Sequence, residues 1–182
     1  MKVSLPEPTS YVVLRFDHEA TASVQRIKES MSKFYEVKLI KSKPHITFTD
    51  WVGGREELFQ KLNYFCENQP AFKFTLWSVG SFGNRGAVFL KPKDKGTFTR
   101  LHYYLVQCLG DPKSEYLKPG LWEPHCTIVK GLKKNLLKHA ELQVTTDFEV
   151  CTAKAIGFEI ITRGQEPWFV PLEGLGPKCS TS

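Results

Sequence analysis

The chain has 182 residues, of which 41% are hydrophobic, 13% aromatic and 24% charged, a balance that fits one globular domain or two small lobes sharing a core and excludes disordered, fibrous or many-domain proteins. Lys and Arg total 25 against 19 Asp and Glu, and the resulting +6 favours anionic partners such as phosphate ligands without the charge density of a polyanion-wrapping surface. Five scattered cysteines (Cys66, Cys108, Cys126, Cys151, Cys179) form neither CxxC pairs nor an even framework, so reduced thiols and a cytoplasmic location are expected.

The start, Met1-Lys2-Val3-Ser4-Leu5-Pro6-Glu7-Pro8, has no apolar leader stretch. No later apolar run reaches the about eighteen residues of a membrane span, so no membrane anchor is expected. Residues 10–17 are β-branched and aromatic and predict a strand, with Asp17 capping the helix that follows. Val24, Ile27, Met31 and Phe34 recur at helical spacing. After the turn at Lys41-Ser42-Lys43-Pro44 comes a short strand over 45–51, then a Gly53-Gly54 break and a second helix using Leu58, Leu62 and Phe65. Phe72 to Trp77 and Ala87 to Leu90 read as hairpin arms joined through Gly83-Asn84-Arg85-Gly86, a turn composition that supplies positive φ at little cost.

The second half repeats this order. Phe98, Leu101, Leu105 and Leu109 mark a helix, His125 to Val129 a short strand, Leu132 to Leu142 another helix, and paired strands close the chain. Phe148-Glu149-Val150 answers Phe72-Lys73-Phe74, and the Arg163-Gly164-Gln165 turn leads to Trp168-Phe169-Val170 as Arg85-Gly86 leads to Val88-Phe89-Leu90. The expected fold is therefore α+β, a bilobal pseudo-twofold repeat in which two antiparallel β-sheets line a central cleft and helices cover the outside. Residues 1–176 would form this single domain, and 177–182 a flexible tail.

Both short strands open with the same tetrad: Pro44-His45-Ile46-Thr47 and Pro124-His125-Cys126-Thr127, the histidines eighty residues apart. Residue usage alone produces one such tetrad on the order of once per hundred chains, and two on the order of once in ten thousand. Strand alternation places His45 and Thr47 on one face and Ile46 and Phe48 on the other, with His125 and Thr127 likewise opposed to Cys126 and Ile128. Each lobe thus offers one imidazole and one hydroxyl to the cleft. Histidine titrates near neutral pH, so one ring can take a proton from an attacking water or ribose hydroxyl while the other, protonated, gives one to the leaving oxygen. Thr47 and Thr127 would donate hydrogen bonds to the non-bridging phosphate oxygens, and the symmetry leaves open which histidine is the base.

Other chemistries lack their signatures. HExxH, His-x-Glu with PCxxC, and paired carboxylates beside the histidines are absent, so no metal and no cofactor are expected. A Walker loop and a GxGxxG opening a helix are also missing. Cys126 points away from the catalytic face by alternation, which argues against a nucleophilic thiol.

The doubled His-x-Thr-hydrophobic motif within a repeat spanning residues 10–175 resembles the two-histidine (2H) phosphoesterase superfamily, LigT-like RNA 2',3'-cyclic phosphodiesterases also called 2'-5' RNA ligases. The resemblance implies a metal-independent phosphoesterase acting on 2',3'-cyclic phosphate RNA ends or 2'-5' linkages, with His45, Thr47, His125 and Thr127 in the catalytic positions. RNA ends, small oligonucleotides or cyclic nucleotides are the implied partners, and a monomer is expected. Many LigT-like members carry arginine shortly after the second motif, whereas Lys130 stands here in Thr127-Ile128-Val129-Lys130-Gly131, an ending that more closely resembles the branch containing animal and viral 2'-5' oligoadenylate phosphodiesterases.

Lys130 is out of phase with the catalytic face and reaches a phosphate only if the strand ends or bends there. Tyr11, Trp51 and Trp122 lie on segments bordering the cleft and compete between base stacking and core packing, with Trp122 the best placed for stacking. Lys41 and Lys43 are placed to steer an RNA end toward His45. Two further classes stay open: a nucleotide sensor that binds without turnover, and ATP-independent 2'-5' end joining by the reverse reaction.

Overall fold

The structure, a computed structural model, describes residues 9–173. The Met1–Pro8 start, Cys179 and the tail expected over 177–182 lie outside the described residues. The first strand, β1 (Thr9–Phe16), buries Val12, Leu14 and Phe16 in the core. Asp17 then caps α1 (His18–Phe34), its carboxylate accepting from the Ala20 N–H at 3.0 Å, a bond worth about 1 kcal/mol. Val24 and Met31 are buried as the periodicity predicts, whereas Phe34 is 61% exposed and stacks on His139. The helix ends at that point, and Tyr35 packs against the core in its place.

The short strand is β2 (Ile46–Val52), followed by α2 (Arg55–Glu67), whose Leu58, Leu62 and Phe65 are buried. The hairpin forms between β3 (Phe72–Phe82) and β4 (Ala87–Pro92), with Phe82 paired to Ala87 across the 83–86 turn; β3 runs past Trp77, where the sequence reading ends its arm. In α3 (Lys95–Leu109) all four expected positions, Phe98, Leu101, Leu105 and Leu109, are buried. A 3₁₀ turn (Glu115–Leu117), β5 (Cys126–Val129), α4 (Lys134–Asp147), β6 (Cys151–Thr162) and β7 (Trp168–Pro171) complete the chain.

Phe148-Glu149-Val150 is not a strand. The helix continues to Asp147 because Val144 reaches the core, and the Phe148 N–H closes it on the Val144 carbonyl at 2.9 Å. The strand that answers β3 in the second half is β6, which begins only at Cys151, and Phe72-Lys73-Phe74 pairs with Ala155-Lys154-Ala153 of it.

The α+β architecture of antiparallel strands and four helices matches expectation, but the two expected sheets are joined. Seven strands form one hydrogen-bonded sheet in the order β2-β1-β6-β3-β4-β5, with β7 added on β6. Length explains the fusion. In β3, residues 72–76 pair with β6 and 76–82 with β4; in β6, residues 151–155 pair with β3 and 155–162 with β1. The connection β-α-β-α-β runs twice, from β1 to β3 and from β4 to β6, so β4 opens the second run as well as closing the hairpin. The end strands β2 and β5, farthest apart in the pairing order, nevertheless touch. The sheet therefore curls until its two histidine-bearing edges meet. Among the described residues no helix is long and apolar enough to cross a membrane.

Candidate active site

The two tetrads share one burial pattern. In each, the proline is buried, the histidine half-buried, the next residue buried, the threonine half-buried and the following residue buried. Both rings are held in the same way: His45 Nδ1 lies 2.7 Å from the Lys43 carbonyl, and His125 Nδ1 2.7 Å from the Glu123 carbonyl. A carbonyl only accepts, so Nδ1 carries the proton in both rings and Nε2 is left for chemistry. His45, Thr47, His125 and Thr127 line one cavity of about 300 Å³. A shallower apolar hollow of about 400 Å³, between Phe59 of α2 and Trp168 of β7, contains no such set.

Tyr11 and Lys130 also line the shared cavity, Tyr11 being 38% exposed. Lys130 reaches it because β5 stops at Val129 and the chain turns through Gly131 at φ +83°. Trp122 is not on this wall. It is 6% exposed, stacks on the buried His102 at 4.2 Å, and donates from Nε1 to the Thr47 carbonyl at 2.9 Å, so it braces the strand carrying Thr47 from behind. Trp51 packs against the core. Cys126 is fully buried, where desolvation pushes its thiol up to about 11, so it is not a ready nucleophile.

Three polar wall residues with long side chains escape the sequence reading: Lys28, Arg85 and Tyr116. Lys28 is 1% exposed and donates to the Ser42 carbonyl at 2.6 Å. Its signal was present, since it sits four residues after Val24 and three before Met31, on the apolar face of α1, where a lysine needs a reason to be buried. Arg85 and Tyr116 lie in a turn and a 3₁₀ turn, where no periodicity marks them; the Arg85 guanidinium rests 4.1 Å over the Tyr116 ring.

Buried polar contacts hold these pieces. Arg15 donates to the Pro44 carbonyl at 2.9 Å, so Arg15 and Lys28 together clamp the turn that delivers His45. Asp50, 4% exposed on β2, accepts from the Lys113 N–H at 2.7 Å and from the Ser114 N–H and hydroxyl at 3.1 and 2.5 Å, anchoring the segment that carries Tyr116. Gly86 has φ +56°, and an added Cβ would fall 2.2 Å from the Leu132 carbonyl oxygen; its own carbonyl accepts from the Leu132 N–H at 3.0 Å, which seats the hairpin turn against the segment after Lys130.

The rings differ electrostatically. Burial, reinforced by the Arg15, Lys28 and His125 charges, pushes His45 from 6.5 down to about 4. Burial also lowers His125, with Arg85 acting in the same direction, but the Glu123 carboxylate opposes the shift. An anion placed between the rings would favour their charged forms and reverse these shifts. Among the described residues no three His, Cys, Asp or Glu side chains are grouped to hold a metal ion. Two imidazoles with Nε2 uncommitted, two hydroxyls and nearby cations on one cavity can bind a phosphate group and exchange protons with it.

Comparison with known proteins bears on the fold and the family. No curated protein sequence matches the chain. Escherichia coli LigT complexed with 3'-AMP shares the fold at TM-score 0.57 and 16% identity, covering 91% of this chain and 99% of that one. LigT complexed with NADP+ aligns at TM-score 0.54 and 16% identity over 93% and 96% of the two chains. The Thermus thermophilus protein TT0787 aligns at TM-score 0.54 and 17% identity over 91% and 95%. The family described as the 2'-5' RNA ligase superfamily matches residues 16–166, which include both tetrads, and the chain therefore belongs to the 2'-5' RNA ligase superfamily of LigT-like two-histidine phosphoesterases.

Proposed function

We propose that this protein is a metal-independent phosphodiesterase that hydrolyses 2',3'-cyclic phosphate RNA ends or 2'-5' phosphodiester oligonucleotides, as a single cytoplasmic domain. The observation that carries the reading is the identical tethering of His45 and His125, each with Nδ1 on a carbonyl two residues upstream and both rings on one cavity. LigT holds 3'-AMP in one solved structure and phosphate in another, which supports a nucleotide phosphate as the ligand class here.

In the proposed reaction the neutral ring removes a proton from water as its oxygen bonds to phosphorus. The P–O bond to the ribose oxygen breaks on the opposite side, and the protonated ring gives its proton to that oxygen. The ring charges exchange, and solvent restores them. Thr47 and Thr127 donate to the non-bridging oxygens, while Lys130 and Arg85 offset the charge gathering there. His45 is the ring kept neutral, beside Arg15 and Lys28, so it fits the base, and His125, with Glu123 favouring its protonated form, fits the acid. Tyr11 and Tyr116 supply aromatic surface for a base.

Incubation in EDTA with 2',3'-cyclic nucleotides, cyclic-phosphate-ended RNA and 2'-5' oligoadenylate tests this. The His45→Ala and His125→Ala variants should each lose about two to four orders of magnitude in kcat while melting near the wild type. Turnover that survives either substitution removes the mechanism, and tight binding without turnover makes the protein a sensor.

A further inference from the structure

A second groove, of about 810 Å³, opens from the catalytic cavity and shares Ile40, Ser42, Arg85 and Lys130 with it. We propose that this groove carries the sugar-phosphate chain next to the scissile phosphate, so that the protein takes single-stranded oligonucleotides in preference to mononucleotides. The inference rests on the phosphodiesterase reading and extends it to substrate length.

Charge is the first reason. Lys38, Lys41, Arg85 and Lys130 line the groove, and no Asp or Glu does. The ion pairs among the described residues engage Arg15, Lys61, Lys95 and Lys118, leaving all four groove cations without a carboxylate partner. Shape is the second. Residues 37–42 have no secondary structure, yet both ends of the segment are pinned. The Val37 N–H donates to the Ser32 carbonyl at 3.1 Å and the Ser32 hydroxyl to the Val37 carbonyl at 2.5 Å, while Lys28, itself buried, holds the Ser42 carbonyl at 2.6 Å. The facing wall is fixed by the Gly86–Leu132 bond. The cations therefore line a set track and are not scattered on a mobile loop. Between them the surface is aliphatic, Leu39 and Ile40, with no aromatic ring for base stacking. Such a lining reads backbone phosphates and ignores base identity.

The test uses the full chain and 5'-labelled 2'-O-methyl oligonucleotides of one, two, four and eight nucleotides, each ending in a 3'-phosphate and resistant to cleavage. Affinity by fluorescence anisotropy should rise with length. In Lys38→Gln/Lys41→Gln the gain should vanish while the mononucleotide binds as before. Each lost phosphate contact removes about 0.7 from the slope of log affinity against log salt, so the double variant should be about sevenfold less sensitive between 50 and 200 mM salt. Its turnover of a 2',3'-cyclic mononucleotide should equal the wild type's. Equal affinity for one and eight nucleotides, or an octamer bound equally by wild type and variant, overturns the proposal. So does lysine-dependent binding to phosphatidylserine vesicles that exceeds binding to the octamer. Length-dependent binding without any turnover leaves the groove standing and removes the phosphodiesterase reading; turnover with length-independent binding does the reverse.

Discussion

Acid should destabilise this protein through His45 in particular. An unfolded histidine titrates near 6.5, whereas burial and then the Arg15 and Lys28 charges hold this ring near 4. Below pH 6.5 the unfolded chain takes up a proton that the folded one refuses, so stability falls as pH drops and levels off once the folded ring also protonates, below about 4. Between pH 7.5 and 4.5 the difference amounts to about 2.5 kcal/mol, and to about 2 kcal/mol once solvent screening of a half-buried ring is allowed for. Urea denaturation of the wild type and His45→Asn at both pH values isolates the contribution, because the carboxylates common to both proteins cancel. Asparagine keeps a donor for the Lys43 carbonyl without the titration. The wild type should lose about 2 kcal/mol more than the variant, and losses equal to within about 0.5 kcal/mol would show that the folded site accommodates an imidazolium as well as water does.

The same asymmetry sets activity: kcat/KM should peak below pH 6.5, falling on the alkaline side as His125 deprotonates and on the acid side as His45 protonates near 4, and an optimum at or above about pH 7.5 contradicts it. Asp50→Asn turns an amide donor toward the Lys113 and Ser114 donors; a loss of about 2 kcal/mol, read as a fall of about 4–8 °C in Tm together with a raised KM from a loosened Tyr116, is expected, and an unchanged Tm removes the clasp. Trp122→Phe keeps the stacking on His102 but drops the bond to the Thr47 carbonyl, and should cost about 1–2 kcal/mol in urea denaturation; wild-type stability would show that the bond contributes nothing. Gly86→Ala meets both a left-handed backbone and the Leu132 carbonyl, so a loss of at least about 2 kcal/mol is expected by the same measurement, and a neutral result would mean the turn can move away.

Much of the site could be read in the chain because its chemistry is local. A Pro-His-x-Thr strand sets the alternation of its own side chains, so His45 with Thr47 and His125 with Thr127 were legible as cleft-facing pairs before any fold was known. Helix faces such as Leu58, Leu62 and Phe65 follow from spacing for the same reason. The inward packing of Trp122 was not legible because an indole beside a motif packs outward or inward according to what lies behind it, here His102 of α3. Phe34 failed similarly, since periodicity gives the phase of a helix but not where its last turn runs past the core.

The two Pro-His-x-Thr strands and the helix faces around them are each written within a few residues, so the chain alone specifies them. Only the tertiary structure decided that β3 and β6 join the halves into one sheet, that the sheet curls until β2 and β5 touch, and that Lys28, Arg85 and Tyr116 stand around the histidines. Those outcomes depend on strand lengths and on contacts between residues far apart in the chain, which become definite only when the core closes.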